Sequence, residues 1–153
     1  MRPARIVSGG QTGVDRGGLD AAIAVGIDHG GWCPRGRRAE DGIIPERYQL
    51  REAASADYSR RTEANVVDSD GTLIVARGPL GGGTALTADC ARKHGRPLLV
   101  IDVATTEVGQ AVAMIRAFVA DYAIATLNVA GPRGSKAPEL RQVVTDLLVD
   151  AFA

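Results

Sequence analysis

Three short Gly-rich stretches carry most of the side chains in this sequence that could bind an anion. They read "SGGQTGVD" from residue 8, "GPLGGGT" from residue 78 and "NVAGPRGSK" from residue 128. Glycine lets a backbone approach a phosphate closely, and the free N–H groups that open a helix attract negative charge. The hydroxyl and guanidinium groups in or directly after these stretches belong to Ser8, Thr12, Arg16, Thr84, Arg133 and Ser135. These residue types predict a phosphate-bearing ligand.

None of these stretches identifies a nucleotide by itself. "SGGQTG" lacks the G-x-G-x-x-G spacing of the dinucleotide fingerprint, and "GPLGGGT" lacks the G-K-[ST] ending of a P-loop. A single Gly-rich turn before a helix equally fits close packing of a strand against a helix. Three such loops in one parallel sheet favour binding, because ligands in these sheets lie beyond the carboxyl ends of the strands.

Other reactive residue types give weaker indications. Asp15 either orients the first helix or accepts a hydrogen bond from a heterocycle N–H. Cys33 and Cys90 favour structural roles over a reactive thiol or a metal ligand, because no neighbouring Cys or His completes a ligand set. His29 and His94 have no identifiable partner, so acid–base catalysis by histidine lacks support.

The elements that must position these residues alternate between strand and helix. Strands are predicted at residues 5–8, 27–33, 72–77, 96–103 and 124–131. Helices are predicted at 14–25, 59–69, 84–94 and 107–122, and a final helix within 132–152 has Pro138 near its first turn. The alternation predicts an α/β fold, with a mostly parallel sheet between two layers of helices. The apolar run at 96–103 predicts a strand buried on both faces.

Residues 34–50 form the longest polar stretch and predict a surface excursion from the sheet. Its arginines, Arg35, Arg37 and Arg38, fit equally well a cationic rim over the pocket and a solvated loop.

Length and composition predict one soluble domain over residues 1–153. The chain has no formal net charge, 24% charged residues and 45% hydrophobic residues, so no global field attracts nucleic acid or a membrane. Because no signal-peptide core and no membrane-length apolar run occurs, we expect a cytoplasmic protein. Two cysteines are too few for a disulfide framework and are expected to be reduced thiols.

Taken together, the motifs resemble the putative molybdenum carrier family, related to molybdenum-cofactor carrier proteins, from end to end of the chain. They are "SGGQTGVDRGGLDAA", "GWCPRGRRAEDGIIPERYQL", "YSRRTEANVVDSDGTLI", "GPLGGGT" and "LNVAGPRGSK", in the family's order and spacing. The resemblance implies a Rossmann-like fold, shared with the lysine decarboxylase-like phosphoribohydrolases. It also implies a homo-oligomer, either a dimer or a tetramer.

The resemblance further implies a bound cargo, the molybdenum cofactor (Mo-molybdopterin), a phosphorylated pterin that carries its own metal. No metal-ligand set of the protein is then required, and the implied partners are this anionic small molecule and the molybdoenzymes that would receive it. The candidate cofactor-binding residues are Ser8, Gly9, Gly10, Thr12, Gly13, Asp15, Arg16, Arg61, Thr62, Asn65, Gly82, Gly83, Thr84, Asn128, Arg133 and Ser135.

The phosphoribohydrolase relatives use a P-G-G-x-G-T-x-x-E motif, whose Glu helps to cleave an N-glycosidic bond. Aligning its G-T on Gly83 and Thr84 places Thr87 at the Glu position, and Thr cannot act as a carboxylate. A non-catalytic carrier is therefore favoured, and no catalytic residue is assigned. The alternatives are a nucleotide-binding enzyme, with Asp15, Asp68 or Asp70 as acid or base, and a nucleotide-sensing module.

Overall fold

The structure is a computed structural model that describes residues 1–153 and contains nine strands and five helices. The strands are β1 (Arg5–Val7), β2 (Asp28–Gly30), β3 (Trp32–Cys33), β4 (Arg38–Ala39), β5 (Gly42–Ile43), β6 (Arg51–Glu52), β7 (Gly71–Ala76), β8 (Leu98–Asp102) and β9 (Thr126–Ala130). The helices are α1 (Val14–Val25), α2 (Tyr58–Val67), α3 (Gly82–Lys93), α4 (Val108–Asp121) and α5 (Leu140–Phe152).

Five parallel strands form the central sheet in the order β2-β1-β9-β7-β8. The last strand of the chain, β9, therefore lies between β1 and β7, with Leu127 beside Ile6 and Val129 beside Leu73. This order confirms the α/β Rossmann-like fold. It also brings the three Gly-rich loops together, because they follow three adjacent strands.

Helices cover both faces of the sheet. Leu73 and Val75 of β7 belong to the main hydrophobic core, which includes residues of α1, α4 and α5. Their neighbours Ile74 and Ala76 alternate to the other face and pack with Ala88 of α3. The α2 helix packs against α3 on that second face. None of the helices is long and apolar enough to cross a membrane.

The packing of α1 depends on two glycines that allow close approach. A Cβ on Gly17 would lie 2.5 Å from the carbonyl oxygen of Arg141 in α5, and one on Gly18 would lie 2.9 Å from Val129 of β9. The helix ends at Gly26, which has a left-handed φ of 72° and donates its N–H to the Ala22 carbonyl. The predicted span of this helix, 14–25, is confirmed.

One prediction about the elements is wrong. The strand buried on both faces is β7, in which every residue is buried, whereas β8 lies at the sheet edge with Leu98, Leu99 and Val100 only half-buried. An apolar run shows that a strand is covered, but it does not show which position the strand takes in the sheet. The position predicted for Pro138, near the first turn of the last helix, is confirmed, because it directly precedes Glu139, the N-cap of α5.

The excursion at 34–50 folds back onto α1. It contains the hairpin β4–β5, and its Ala39, Ile44 and Tyr48 form a small core with Leu19 of α1 and with Cys33. Arg37 belongs to this unit, since its guanidinium donates to the carbonyl oxygens of Pro45 at 3.0 Å and Tyr48 at 2.9 Å. Cys33 is buried in this small core, and Cys90 is buried beside Val66 and Ala91, so a structural role stays the prediction for both.

Candidate functional site

A cavity of about 510 Å³ opens at the carboxyl ends of β1, β9 and β7, where the three Gly-rich loops meet. This volume and position are typical of sites for small organic ligands. The α2 helix supplies another wall, with Tyr58, Ser59, Arg61, Thr62 and Asn65. The arginines considered as a rim, Arg35, Arg37 and Arg38, do not line it.

Nine of the sixteen candidate binding residues line the cavity and seven do not. Those at the cavity are Gly9, Asp15, Arg61, Thr62, Asn65, Gly83, Thr84, Asn128 and Arg133. Those outside its lining are Ser8, Gly10, Thr12, Gly13, Arg16, Gly82 and Ser135. The contacts of most of the second group hold the loops in place.

The loop after β1 uses three of its backbone N–H groups internally. The Gly10 N–H donates to Ser8 Oγ at 3.3 Å, and the Gln11 N–H donates to Asp15 Oδ2 at 3.2 Å. The Thr12 N–H donates to Gln11 Oε1 at 3.1 Å. Three donors that the sequence predicted for an anion are therefore already paired.

The tip of the hairpin β4–β5 carries two carboxylates, Glu40 and Asp41, which bind side chains in or next to the loop after β1. Asp41 receives a two-pronged ion pair from Arg16, with N–O distances of 2.6 and 2.8 Å. The Arg16 side chain is almost fully buried and also donates from Nε to the Gly10 carbonyl at 3.1 Å. Arg16 is therefore committed to a protein carboxylate.

The second carboxylate at the tip, Glu40, takes the position expected for an anion between the first and last loops. It accepts hydrogen bonds from the Thr12 hydroxyl and from both the N–H (3.0 Å) and the hydroxyl (2.6 Å) of Ser135. Arg133 Nε lies 3.4 Å from it. The Ser135 and Thr12 hydrogen bonds hold the pKa of Glu40 below its usual range. Thr12 and Ser135 thus bind a carboxylate of the protein itself.

The loop after β7 differs because its donors are free. The N–H groups of Gly82 and Gly83, at the start of α3, make no hydrogen bond within the protein. Lys136 extends from the last loop to this point, and a Cβ on Gly82 would lie 3.2 Å from its Nζ. The loop is fixed at its start by Asp102, which accepts from the Gly78 N–H at 3.0 Å. The helix N-terminus and the ammonium together form the most anion-attracting part of the cavity.

Charge around the cavity is predominantly positive. Four basic side chains line it, namely Arg61, Arg77, Arg133 and Lys136, against the two acidic side chains Asp15 and Glu139. Asp15 is paired with Arg61, and Glu139 lies 3.4 Å from Arg77. Arg133 faces Glu40, so Lys136 is the cavity cation without an acidic partner.

A buried ion pair forms the wall of the cavity beside β1. Asp15 Oδ2 accepts from Arg61 Nη1 at 3.0 Å, and the two side chains are only 7% and 12% exposed. Burial raises the pKa of Asp15 above its usual value, although the Arg61 guanidinium opposes this. Arg61 lies so close to Gly9 that a Cβ there would come 1.4 Å from Nη1. Gly9 is therefore required for the position of Arg61.

Several buried polar side chains at the cavity keep atoms without a protein partner. Asp15 Oδ1, Asn128 Oδ1 and Thr84 Oγ1 take part in no hydrogen bond, although all three residues are more than nine-tenths buried. Gln11 Nε2 is a free donor at the same cavity. The fully buried side-chain polar atom without a partner is Arg61 Nε. The four atoms named above keep some access to the cavity, so a polar ligand bound there could pair with them.

Other candidates are engaged elsewhere. Asn65 ties α2 to β3, because its side chain bonds both the N–H (2.7 Å) and the carbonyl (2.9 Å) of Trp32. Asp68 accepts from Trp32 Nε1 at 2.7 Å, and Asp70 accepts from the N–H groups of Ala125 and Thr126. Neither Asp68 nor Asp70 lines the cavity.

Both histidines have partners that sequence reasoning did not identify. His29 Nε2 accepts from the Gln49 N–H at 3.1 Å, and His94 lies 3.3 Å from Glu63.

Sequence reasoning missed Gln11, Arg77 and Lys136 at the cavity, and Glu40 at its border. Lys136 is the last residue of the quoted "NVAGPRGSK", so a charge count over that stretch would have found it. Glu40 lies far from the Gly-rich loops in the chain, and no local pattern indicates that it contacts Ser135. The hairpin carries it there.

Comparisons with known proteins agree with this architecture. Residues 6–152 match the profile of the circularly permutated YpsA SLOG family. A crystal structure of a putative molybdenum carrier protein from Syntrophus aciditrophicus SB, at 1.45 Å resolution, superposes with a TM-score of 0.94. The two chains share 48% sequence identity, over 98% of this chain and 94% of that chain. No curated protein matches the chain.

Proposed function

The chain belongs to the circularly permutated YpsA SLOG family, and from this premise we propose that it is a non-catalytic carrier of a phosphorylated pterin. The proposed cargo is the molybdenum cofactor or a closely related pterin. The name of the 48%-identical neighbour, a putative molybdenum carrier protein, supports the choice of cargo. The observation that carries the proposal is the cavity itself, which combines a free helix N-terminus with an unpaired Lys136 and buried polar groups.

The phosphate of the cargo is assigned to the start of α3. There the N–H groups of Gly82 and Gly83 are free, Thr84 offers a hydroxyl, and Lys136 supplies charge. A phosphate at this point gains from the helix dipole and from charge-assisted hydrogen bonds. Arg133 contributes to the field but shares its charge with Glu40.

A role without covalent chemistry is supported by the environment of Thr87. This residue stands where the phosphoribohydrolase motif has Glu, and its hydroxyl donates to the Gly83 carbonyl at 2.9 Å within α3. It thus offers neither a carboxylate nor a free hydroxyl for attack on a sugar. A carrier needs only affinity and release, which the cavity supports.

The test of this proposal is recovery of the cargo. The protein would be purified anaerobically from cells grown with molybdate, and the retained ligand analysed by ultraviolet-visible absorption and mass spectrometry. We expect a pterin and molybdenum in a fixed ratio to protein. Protein that retains no pterin and binds none when it is added anaerobically would contradict the proposal. The Lys136→Ala variant is the matched control, because it should retain less.

One observation favours a second candidate, an enzyme that acts on a nucleotide. Asp15 is a buried carboxyl at the cavity, and burial raises its pKa toward the range of a general acid. Of the three aspartates considered for this role, Asp15 alone lines the cavity. Release of free base or ribose phosphate from a panel of nucleotides, lost in Asp15→Asn, would support this candidate. A carrier releases neither.

The proposal also includes a cytoplasmic homo-oligomer, a dimer or tetramer, that passes its cargo to molybdoenzymes. This extension rests on the resemblance of the motifs. Sedimentation equilibrium would test it, and a monomer at micromolar concentration would contradict it.

A further inference from the structure

The cavity has two chemically different ends, separated by the width of two strand spacings. Asp15 lies in α1 after β1, Asn128 lies in the neighbouring β9, and Thr84 lies in α3 after β7, so the three cavity residues belong to three adjacent strands and the helices that follow them. Because adjacent strands lie about 4.8 Å apart, the β1 end and the β7 end are separated by about 10 Å. This span suits a ligand with a ring at one end and a phosphate at the other.

The β1 end is unsuited to an anion. Its guanidinium, Arg61, is neutralised by Asp15 at 3.0 Å, and the pair is almost completely buried. A phosphate placed there would face the carboxylate, whereas the β7 end offers Lys136 and two free N–H groups. The ring of the ligand is therefore expected at Asp15 and its phosphate at α3.

The free atom that faces this ring is an acceptor. Asp15 Oδ2 already accepts from Arg61 Nη1 and from the Gln11 N–H, whereas Oδ1 accepts no hydrogen bond in the protein. The Asp15 residue is only 5% exposed and lines the cavity, so the ligand side is where Oδ1 can find a donor. A ligand that presents a carbonyl oxygen at this point would leave two buried acceptors facing each other.

We propose that Asp15 is a specificity-determining residue that selects a ring with an exocyclic amino group, such as a 2-aminopterin, over the same ring with an oxo group. Oδ1 accepts the hydrogen bond of that amino group. This inference rests on the proposed pterin-binding function. It goes further because it gives the orientation of the ligand and names the substituent that Asp15 recognises.

The test compares two ligands that differ in the 2-substituent and in the proton that N1 carries when that substituent is an oxo group. 6-Hydroxymethylpterin monophosphate carries the amino group, and the corresponding 2-oxo compound, a lumazine monophosphate, carries an oxygen at the same position. Isothermal titration with the wild-type protein should show about tenfold or greater preference for the pterin. Equal affinities would overturn the inference but leave the binding function intact, whereas binding of neither compound would overturn both.

The Asp15→Asn variant sharpens the test because Asn keeps the size and can still accept from Arg61. Its amide then presents a donor toward the ring, so the preference should disappear or reverse in favour of the 2-oxo compound. Preference unchanged from wild type would overturn the inference. Asp121→Asn, an exposed substitution on α4, is the matched control and should keep the wild-type preference. If Asp15→Asn does not fold, the ratio of the wild-type affinities for the pterin and the 2-oxo compound is sufficient to test the inference.

Discussion

In the loop after β1, residues 8–13, the glycines lie against other parts of the protein, whereas most of those in the loop after β7, residues 78–84, face open space. A Cβ on Gly10 would come 2.5 Å from Leu50, and one on Gly13 would come 2.5 Å from the Pro132 carbonyl oxygen. A Cβ on Gly81 or Gly83 would meet nothing within 4 Å. The backbone N–H groups follow the same division in part: those of Gly10, Gln11 and Thr12 are paired in the first loop, whereas those of Gly82 and Gly83 are free at the start of α3.

The difference shows that glycine serves two purposes in this protein. In the first loop it allows close packing, so that the loop, the hairpin tip and the last loop form a rigid frame. In the second loop it keeps the helix N-terminus accessible. Composition alone does not separate these purposes, because both stretches are rich in glycine and contain hydroxyl residues. Substitutions can separate them.

The largest expected effect is on stability, from Gly13→Ala. Residue 13 has a φ of 84° and its added Cβ would clash with backbone atoms, which cannot move away as a flexible side chain could. We expect the free energy of unfolding to fall by about 2 to 4 kcal/mol, measured by urea denaturation. The matched substitution Gly81→Ala should change it by about 0.5 kcal/mol or less. Similar losses for both would remove the distinction between the loops.

A smaller loss of stability is expected from Arg16→Ala. It removes the ion pair with Asp41 and the bond to the Gly10 carbonyl, although Asp41 is half-exposed and water can replace its partner. The free energy of unfolding should fall by about 2 kcal/mol in thermal or urea denaturation. Arg60→Ala, an exposed substitution on α2, serves as the control. A stable Arg16→Ala protein with lost ligand affinity would instead make Arg16 a binding residue.

In contrast to Arg16→Ala, Lys136→Ala should reduce ligand affinity and leave the stability of the protein unchanged. Its side chain is exposed and contributes charge at the start of α3, so stability should stay within about 0.5 kcal/mol of wild type. Affinity for the pterin monophosphate should fall by about fivefold and lose part of its salt dependence. Lys93→Ala removes the other lysine, at the far end of α3, and should leave affinity unchanged. Equal effects of the two variants would argue against an anion site at α3.

The smallest expected effect concerns pH and Glu40. The hydrogen bonds of Ser135 and Thr12 lower the pKa of Glu40 from its ordinary value of 4.5, so its contribution to stability is present above that value. The contribution is lost as the pH falls from the unfolded-state pKa through the lower folded-state pKa. Glu40→Gln should therefore be less stable than wild type at neutral pH, with the gap narrowing in acid. A gap that is constant from pH 7 to pH 3 would contradict this assignment.

Sequence reasoning predicted the fold well, because its signals are local. The helix predicted over residues 14–25 is α1, and the alternation of strands and helices defines the parallel sheet. The order of the strands was not predictable from these patterns. The edge position of β8 depends on where β9 inserts, which is a property of the whole chain.

The candidate site was predicted only in part, for the same reason. Residues that face a loop end, such as Thr84 and Asn128, were found because strand ends meet at one edge of a sheet. The commitment of Thr12 and Ser135 to Glu40 was not predictable, since it depends on a hairpin more than 25 residues from Thr12 along the chain. The sequence shows which groups can bind an anion. The fold determines whether that anion is a carboxylate of the protein, such as Glu40, or a bound ligand.

The most direct test of the account is an anaerobic titration of the purified protein with molybdenum cofactor, with a nucleoside monophosphate as competitor. The account predicts saturable binding at one cofactor per chain, which the nucleotide does not displace and which Lys136→Ala weakens. Binding of the nucleotide without uptake of the cofactor would contradict the carrier function and direct attention to Asp15 as a catalytic group.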